Sequence, residues 1–376
     1  MNNQSMLSKY FSLSLITLLI FMAGISSSNA QKTKASLRVG VVGLTHTHVH
    51  WILGRPEQDD IKIVGIVEPN RELAQRYADQ HGYSMSLVYN TMEEMINATQ
   101  PEAVTAFGTI YDHLQVVQTC APLGIHVMVE KPLAVSLDHA QQMKALADQH
   151  NIHLLTNYET TWYATNHKAY ELLQQDSIGE LRKVVIHDGH PGPIEIGCNI
   201  EFVEWLIDPH YNGAGALTDF GCYGANLLTW LADGQRPLSV FAITQQIKPE
   251  LYPKVDDEAT IVVEYPKMQG IIQASWNWPI NRKDMEVYGK TGYVISDNRN
   301  QLRYRFREAD EEQTLELEER SAPHNDPFAL LAAVVREEIQ LPPYDLSSLE
   351  NNMIVMEILE AAKQSAASGR RMVLRR

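Results

Sequence analysis

The clearest candidate for chemistry is a lysine that follows an apolar strand. Lys131 comes directly after the run 125–129 and stands between Glu130 and Pro132. Proline fixes its own φ and disfavours helix at the preceding residue, so the strand ends here and Lys131 is expected to be extended. Open α/β sheets bind ligands at the carboxyl ends of their strands, which makes Lys131 a predicted functional residue. A solvated surface lysine is the alternative.

A second pair of reactive side chains lies in the other half of the chain. A glycine-rich turn at 213–216 leads into Asp219 and Tyr223, and an apolar helical pattern continues to residue 231. Helix residues four apart share a face, so the carboxylate and the phenol can converge on one ligand. A phenol pKa of about 10 is high for a base, and a neighbouring ammonium lowers it. We predict an acid–base pair assisted by Lys131, with a packed tyrosine as the alternative.

The strand 37–42 runs into a turn that departs from the usual dinucleotide pattern. Such a turn favours glycine at its first, third and sixth positions, but here only Gly43 is present, with Thr45 and His48 at the other two. We expect Thr45 either to shift the phosphate outward or to bind it through its hydroxyl.

Glu68 ends the second strand, where a carboxylate accepts hydrogen bonds from the adenosine ribose. It would repel a 2′-phosphate, which favours NAD over NADP, although Arg71 softens that repulsion. A carboxylate that merely begins a turn is the alternative.

The alternating His46, His48 and His50 raise the question of a metal site, because imidazoles are common ligands. No carboxylate or cysteine near them in sequence completes a set, and a helix amino terminus attracts anions. We therefore expect no metal here.

Apolar runs alternate with helical patterns between residues 35 and 157. Such alternation predicts parallel strands with right-handed crossovers and helices on both faces, so we predict a doubly wound α/β Rossmann domain over 35–157. Predicted strands are 37–42, 61–67, 104–107, 125–129 and 152–157, and predicted helices are 71–81, 113–123 and 137–149.

Beyond residue 157 the connections shorten, which favours hairpins. We predict an α+β domain over 158–376 with a large, mostly antiparallel open sheet, closed by two helices of which the last can pack back on the Rossmann domain. Predicted strands are 181–187, 239–246, 259–265, 270–278, 286–288, 292–296, 302–306 and 314–317, and predicted helices are 327–340 and 346–368.

Composition favours a globular protein with a small ligand. The chain has 376 residues, 44% of them hydrophobic, which is enough for two filled cores. A net charge of −15 without a long basic run argues against a nucleic-acid partner, because that binding neutralises phosphates. Cys120, Cys198 and Cys222 are too few and too scattered for a disulfide framework, so free thiols are expected.

The first thirty residues predict export. Lys9 precedes an apolar run at 11–25, and small polar residues lead to Ala30, a pattern typical of a signal peptide cleaved after Ala30. The run is short for a membrane span, so an uncleaved anchor is the alternative. We expect a periplasmic or secreted protein with no membrane association after cleavage.

Taken together, these motifs resemble the glucose-fructose oxidoreductase and inositol dehydrogenase family. The resemblance covers most of 35–374 and rests on Gly43, Glu68, Glu130-Lys131-Pro132 and Asp219 to Tyr223. It also includes 255–257 and 289–292. Departures are Thr109-Ile110 in place of the usual Pro-Asn, although His113 matches the histidine that follows, and Asn226 in place of a frequent aspartate.

The resemblance implies a nicotinamide cofactor, a sugar or polyol substrate between the domains, and a homo-oligomer, either dimer or tetramer. Lys131 would act beside the nicotinamide, Asp219 would hold the substrate, and Tyr223 would transfer the proton where many members use histidine. Implied cofactor contacts are Gly43, Leu44, Thr45, His46, Glu68, Arg71, Thr109, His113, Glu130 and Lys131. Implied substrate contacts are Lys131, Asp219 and Tyr223. Separately from the resemblance, Tyr158, Trp162 and Tyr163 lie just after the Rossmann strands and are candidates to stack on a sugar face, with core packing as the alternative. Further polar candidates are His187, Asp188, His190 and His210.

Three functions remain open. The first is hydride transfer between NAD and a CH–OH group, and we favour it. The second is a redox-neutral glycosidase or lyase, in which a tightly bound cofactor is oxidised and reduced within each cycle, as suits an exported protein. The third is a carbohydrate-binding relative without catalysis.

Overall fold

We describe the protein from a computed structural model, which describes residues 35–374. The predicted signal peptide at 1–30 and the final two arginines lie outside this range. Among the described helices, none combines the length and apolar character that crossing a bilayer requires.

The amino-terminal sheet is wholly parallel and has the strand order β3-β2-β1-β4-β5-β6. The order reverses between the first and fourth strands, and a doubly wound sheet binds its ligand at that point. The strands are β1 (Leu37–Val42), β2 (Ile61–Val67), β3 (Val88–Tyr89), β4 (Ala103–Ala106), β5 (His126–Glu130) and β6 (Leu154–Asn157). The helices between them are α1 (Val49–Leu53), α2 (Arg71–His81), α3 (Met92–Thr99), α4 (His113–Cys120) and α5 (Leu137–His150).

The carboxyl-terminal sheet has nine strands in the order β14-β13-β12-β11-β7-β10-β9-β8-β15. Its pairs are antiparallel except for one parallel pair at its centre, between β10 and β7. The strands are β7 (Leu181–Gly189), β8 (Ser239–Gln245), β9 (Glu258–Glu264), β10 (Gln269–Ser275), β11 (Arg282–Gly289), β12 (Tyr293–Ser296), β13 (Gln301–Arg305), β14 (Gln313–Glu316) and β15 (Met372–Val373). The helices are α6 (Ala164–Gln174), α7 (Ile200–Leu206), α8 (Pro209–Asn212), α9 (Ala216–Asp219), α10 (Gly221–Leu231), α11 (Pro327–Val335) and α12 (Leu349–Ser368).

The predicted fold class is therefore confirmed, with local corrections. The predicted helix 327–340 ends at Val335, and Glu337 has a positive φ of 57°, which the right-handed helix excludes. The predicted helix 113–123 ends at Cys120 and continues as a 3₁₀ turn that contains Pro122. The strands β3 and β15 were not predicted, because two residues carry no periodicity. The helices α3, α6, α7 and α8 were not predicted either.

Helix α10 explains how the second domain presents its reactive residues. All eleven of its residues are buried, because it lies between α12 and the sheet. A helix enclosed on every side holds its side chains firmly, and so the residues at its amino-terminal end keep fixed positions.

Candidate functional site

Lys131 and Asp219 form an ion pair that joins the two sheets. Lys131 lies just beyond β5 and is 5% exposed, and Asp219 ends α9 and is 3% exposed. The Lys131 ammonium donates to Asp219 Oδ1 and, at 3.0 Å, to the Asp219 carbonyl oxygen. Burial lowers the pKa of Lys131, but the facing carboxylate outweighs that effect and raises it. Burial raises the pKa of Asp219, and Lys131 reverses the effect and lowers it.

The turn before Asp219 is fixed by a half-buried aspartate and by glycine. Asp256 accepts hydrogen bonds from the N–H groups of Gly215 (2.9 Å) and Leu217 (2.7 Å), which orients the start of α9. A Cβ on Gly215 would lie 1.7 Å from the Asp256 carbonyl oxygen, so only glycine fits. Trp276 Nε1 donates to Asp219 Oδ2 at 2.9 Å and occupies the second carboxylate oxygen. The turn at Gly215, the Asp256 side chain and the Trp276 indole together hold the Asp219 carboxylate against Lys131.

Tyr223 lies beside this pair on α10 and is 1% exposed. The Lys131 ammonium is 5.1 Å from the centre of its ring. The expected lowering of the Tyr223 pKa is a prediction that the structure corrects. Burial and then nearby acids, with Glu159 first, raise this pKa well above 10, so the phenol keeps its proton. The Lys131 ammonium interacts mainly with the Asp219 carboxylate, so it stabilises the ionised form of Tyr223 only weakly.

A second lysine lies near the same ring and was not predicted. Lys283, on β11, places its ammonium 5.0 Å from the Tyr223 ring centre and forms an ion pair with Glu159 Oε2. Glu159 Oε1 accepts a hydrogen bond from the Tyr163 hydroxyl at 2.7 Å. Nothing in the sequence singled out Lys283, because it is one of several charged residues at the start of a strand and its partner is distant in the chain.

These residues share a cavity of about 540 Å³ between the two sheets. Its walls include Lys131, Asp219 and Tyr223 together with residues that were not predicted as site residues. The latter include His48, Glu159, Arg282 and Lys283, with apolar contacts from Phe202, Ile196 and Ile280. Each lysine or arginine on the wall faces a carboxylate: Lys131 pairs with Asp219, Lys283 with Glu159 and Arg282 with Asp284.

The aromatic residues after β6 divide between core and cavity. Tyr163 lines the cavity, whereas the predicted substrate contacts Tyr158 and Trp162 do not. Tyr158 packs edge-on against Tyr223 with ring centres 5.4 Å apart, and Trp162 donates to the Asn157 side chain at 3.2 Å. The chain forms a short 3₁₀ helix directly after β6. Tyr158 and Trp162 therefore pack beneath the cavity wall and do not form part of it.

The turn after β1 has the backbone of a dinucleotide loop with different side chains. Gly43 has a φ of +79°, and a Cβ there would lie 2.6 Å from the backbone nitrogen of Gly108. The Thr45 hydroxyl is buried without a hydrogen-bond partner, which is compatible with a phosphate oxygen. Glu68 directly follows β2, and its two oxygens accept the N–H groups of Leu44 and Asn70, both at 2.9 Å. Each oxygen keeps a lone pair for a ribose hydroxyl.

A cavity of about 380 Å³ lies on the other side of this loop, and its wall includes Gly43, Pro69, Thr109 and His113. His113 is fully buried, its Nδ1 donates to the Leu133 carbonyl oxygen at 3.1 Å, and its Nε2 has no partner. Burial lowers its pKa to about 4, so it is neutral. The two cavities, the close approach at Gly43 and the unpartnered buried atoms together fit a dinucleotide that lies across the carboxyl edge of the sheet.

Two predicted cofactor contacts have other partners in the structure. Arg71 donates to the Val88 carbonyl oxygen at 3.2 Å. The Thr109 hydroxyl donates to Asp112 at 2.7 Å. Arg71 lies at the start of α2, and Thr109 lies after β4 on the wall of the smaller cavity.

The histidine cluster of the loop acquires a carboxylate from a distant strand, which corrects the reasoning from sequence. Ligand atoms of His46, His48 and Glu130 lie within 4.8 Å of one another. The buried His46 accepts the His48 backbone N–H at Nδ1, and His48 Nδ1 donates to Glu130 Oε2 at 2.9 Å. Burial raises the pKa of Glu130, but His48 and His46 overcome this and lower it to about 2. The geometry is that of a hydrogen-bonded network in which two of the four ring nitrogens already have partners.

Helix α7 covers the loop from above. His46 packs edge-on against Phe202, with ring centres 5.0 Å apart, and lies 5.8 Å from the ring of Trp205. At the far side, Glu201 pairs with Arg76 at 2.8 Å, which joins α7 to α2. Helix α7 thus connects the loop after β1 to helix α2.

The four polar candidates of the second domain have different surroundings. His190 lines the large cavity, His187 pairs with Asp284 at 2.9 Å, and His210 packs on Tyr111 outside it. Asp188 is 1% exposed, and neither of its oxygens has a partner. The three cysteines are free thiols as expected, although Cys198 is only half-buried and lines the cavity.

The fold and the site define a two-domain class of protein with a Rossmann sheet for a dinucleotide and a polar cavity between the two sheets. Residues 37–158 match the model of the oxidoreductase family with an NAD-binding Rossmann fold, and residues 166–295 match that of the GFO/IDH/MocA C-terminal domain. The chain therefore belongs to the GFO/IDH/MocA family of oxidoreductases, as the sequence motifs indicated.

Individual relatives are distant. The trans-1,2-dihydrobenzene-1,2-diol dehydrogenase of Xenopus tropicalis is 28% identical over 220 residues, which are 57% of this chain and 61% of that protein. The D-xylose 1-dehydrogenase (NADP(+)) of Haloarcula marismortui is 24% identical over 235 residues, 61% of this chain and 63% of that protein. The chain thus spans about three fifths of the length of these curated relatives. An aldose-aldose oxidoreductase from Caulobacter crescentus, solved with glycerol, has the same fold, with a TM-score of 0.75, 20% identity and coverage of 90% of this chain and 100% of that one.

Proposed function

We propose that this protein is an NAD(P)-dependent oxidoreductase that interconverts a CH–OH group and a carbonyl on a neutral sugar or polyol. The buried contact of Lys131 with Asp219 beside Tyr223, in a cavity at the carboxyl edge of the Rossmann sheet, carries this proposal. When bound, the nicotinamide cofactor exchanges a hydride with the substrate carbon. The chain itself must then bind the sugar and transfer the hydroxyl proton.

The charge pattern supports a neutral substrate. Every lysine or arginine on the cavity wall faces a carboxylate. A phosphate or carboxylate on the substrate would displace one of these pairs and leave a buried acid without a partner, which is unfavourable. Alternating donors and acceptors suit vicinal hydroxyl groups, which both donate and accept.

The protonation states support a donor role for the site. Burial keeps the proton on Tyr223, and Asp219 keeps the proton on Lys131. Two protonated groups stabilise and protonate a developing alkoxide, so reduction of a carbonyl is favoured at neutral pH. Oxidation of the alcohol should become faster as pH rises, because it needs one of these groups to accept a proton.

For the cofactor, Glu68 supports NAD. A carboxylate at the end of β2 repels a 2′-phosphate, and its two oxygens are already fixed by backbone N–H groups. Because the relative from Haloarcula marismortui is named for NADP(+), binding of both NAD and NADP should be measured. We also propose export with cleavage after Ala30, and a homo-oligomer of two or four chains.

The variant Tyr223→Phe tests the proposal. It removes the proton donor without changing the ring, so turnover should fall about 100-fold or more while NAD affinity stays unchanged. Carbonyl reduction and alcohol oxidation are followed by NADH absorbance on a panel of aldoses and inositols, and NAD binding by calorimetry. Wild-type turnover in the variant would reject the role of Tyr223, and sugar binding without NAD binding would favour a carbohydrate-binding relative.

A redox-neutral glycosidase or lyase is the second candidate, and the cover formed by α7 favours it. A helix that packs on the loop residue His46 and pairs with α2 hinders exchange of the cofactor between cycles. Protein purified without added nucleotide would then retain NAD and cleave a methyl glycoside unaided. Loss of the nucleotide during gel filtration, with activity that depends on added NAD, would eliminate this candidate.

A further inference from the structure

A histidine–carboxylate pair stands on the cavity wall and has no part in the proposed transfer of the hydroxyl proton. His48 Nδ1 donates to Glu130 Oε2 at 2.9 Å, and Asn157 donates to the other oxygen at 2.7 Å. The Glu130 side chain is 1% exposed. A fixed carboxylate on Nδ1 holds an imidazole in one tautomer and leaves Nε2 as the proton acceptor.

The imidazole ring is also held in place. It stacks on Trp51, with ring centres 3.8 Å apart and planes at 14°. The His48 side chain is 16% exposed and lines the cavity of about 540 Å³. The Nδ1 atom is engaged, so Nε2 is the nitrogen left for a reactant. In many enzymes a catalytic base is oriented in the same way, by a further group that accepts a hydrogen bond from it.

We propose that His48, positioned by Glu130, is a second general base of the cavity that removes a proton from the carbon next to the substrate carbonyl. This inference rests on the proposed function, because the carbonyl arises when the neighbouring CH–OH carbon gives up its hydride to NAD⁺.

The proton and electron balance is closed. As the carbonyl forms, the hydroxyl proton passes to the ionised form of Tyr223, which becomes more abundant as pH rises, while Lys131 remains an ammonium. The proton of the adjacent carbon passes to His48 Nε2, and the C–H electron pair moves onto the carbonyl oxygen, where Lys131 stabilises the negative charge. Reversal of both steps returns the substrate, and in D₂O the carbon receives a deuteron. If the carbon on the far side of the deprotonated one, β to the carbonyl, bears a leaving group, the enolate expels it and a double bond forms between those two carbons.

The experiment follows hydride transfer and exchange in one reaction. The protein with NAD⁺ in D₂O is given D-xylose, D-glucose, myo-inositol or methyl β-D-glucoside. NADH absorbance reports hydride transfer, and mass spectrometry of the recovered sugar reports deuterium. We expect deuterium at the carbon next to the oxidised one. In His48→Gln, the ratio of exchange to hydride transfer should fall about 100-fold, the usual contribution of a general base.

His50→Gln is the matched control. His50 lies on α1 and its Nδ1 is 2.8 Å from His81 Nε2, away from the cavity wall. Both rates should be unchanged in this variant. Glu130→Gln is the second variant of the pair, and it should lower the exchange ratio while His48 remains present.

Diethyl pyrocarbonate supplies a readout that needs no substrate. It acylates accessible neutral imidazole nitrogens, so His48 should react, whereas the buried His46 and His113 should not. Peptide mass mapping identifies the modified residue. An unreactive His48 would overturn the proposal.

The outcomes are distinguishable. With no NADH and no exchange on any probe, the proposed function fails and this inference fails with it. With NADH but no exchange, or with exchange that persists in His48→Gln, only the inference is overturned. Purified protein that contains one metal ion per chain, lost in His48→Gln, would also overturn it and assign the cluster to metal binding.

Discussion

Two buried aspartates of this site, Asp219 and Asp188, provide a sharp test because their surroundings are opposite. Asp219 faces Lys131 and accepts from Trp276, and its pKa is lowered. Asp188 is equally buried, neither of its oxygens has a partner, and burial raises its pKa well above the usual value. Asparagine has nearly the same shape as aspartate, so the two Asp→Asn variants differ mainly in charge.

Asp219→Asn should destabilise the protein strongly. It leaves the Lys131 ammonium buried without its counter-ion, and removal of one partner of a buried pair costs about 3–5 kcal/mol. A lowered folded-state pKa stabilises at pH values above the unfolded-state pKa of about 3.9, and that stabilisation is lost as pH falls through the folded-state value. The difference between wild type and variant should therefore be largest near neutral pH and shrink in acid.

Asp188→Asn should stabilise the protein relative to wild type, and the gain should grow as pH rises. With a raised pKa the folded protein binds a proton that the unfolded chain releases, so wild-type stability falls as pH rises above about 4. The asparagine variant has no such proton to bind. Its stability relative to wild type should increase by about 1.4 kcal/mol per pH unit, until the folded-state pKa of Asp188 is reached.

Urea unfolding of both variants and of wild type at several pH values between about 2 and 8, followed by circular dichroism, measures these differences. A loss of less than about 1 kcal/mol in Asp219→Asn would mean that Lys131 is not held as a buried ammonium. A constant difference between Asp188→Asn and wild type would show that Asp188 is ionised in the folded protein. Either result would refute the electrostatic description of the cavity.

Two further substitutions test the loop and the second lysine. Gly43→Ala forces a φ of +79° on a residue with a Cβ that lies 2.6 Å from the backbone of Gly108, so we expect a loss of about 1–3 kcal/mol in stability and weaker NAD binding by calorimetry. Lys283→Met leaves the Glu159 carboxylate beside Tyr223 without its ammonium, which should raise the pKa of the phenol further. Turnover in alcohol oxidation should then fall about tenfold or more, and its pH profile should shift to higher pH. Lys283→Met combined with Glu159→Gln should recover part of that turnover, and a double variant no better than the single one would contradict the reasoning.

The sequence predicted the functional residues best where one residue decides the local backbone. Gly43 after β1, Glu68 after β2 and Lys131 between β5 and Pro132 follow strands whose apolar runs were recognisable, so their place at the carboxyl edge of the sheet could be derived. The alternation of strands and helices fixed the parallel sheet. The turn before Asp219 was equally visible, because glycine is required where Asp256 approaches.

The partners of these residues were decided only by the tertiary structure. His48 follows β1 and Glu130 ends β5, with β4 between those strands in the sheet, so their hydrogen bond is invisible to local patterns. Lys283 likewise meets Glu159 from a different sheet. The direction of the Tyr223 pKa depends on burial and on the sum of surrounding charges, and both arise when distant segments pack together. Chain order determined which groups reach the edge of the sheet, whereas packing determined which of them hold a proton.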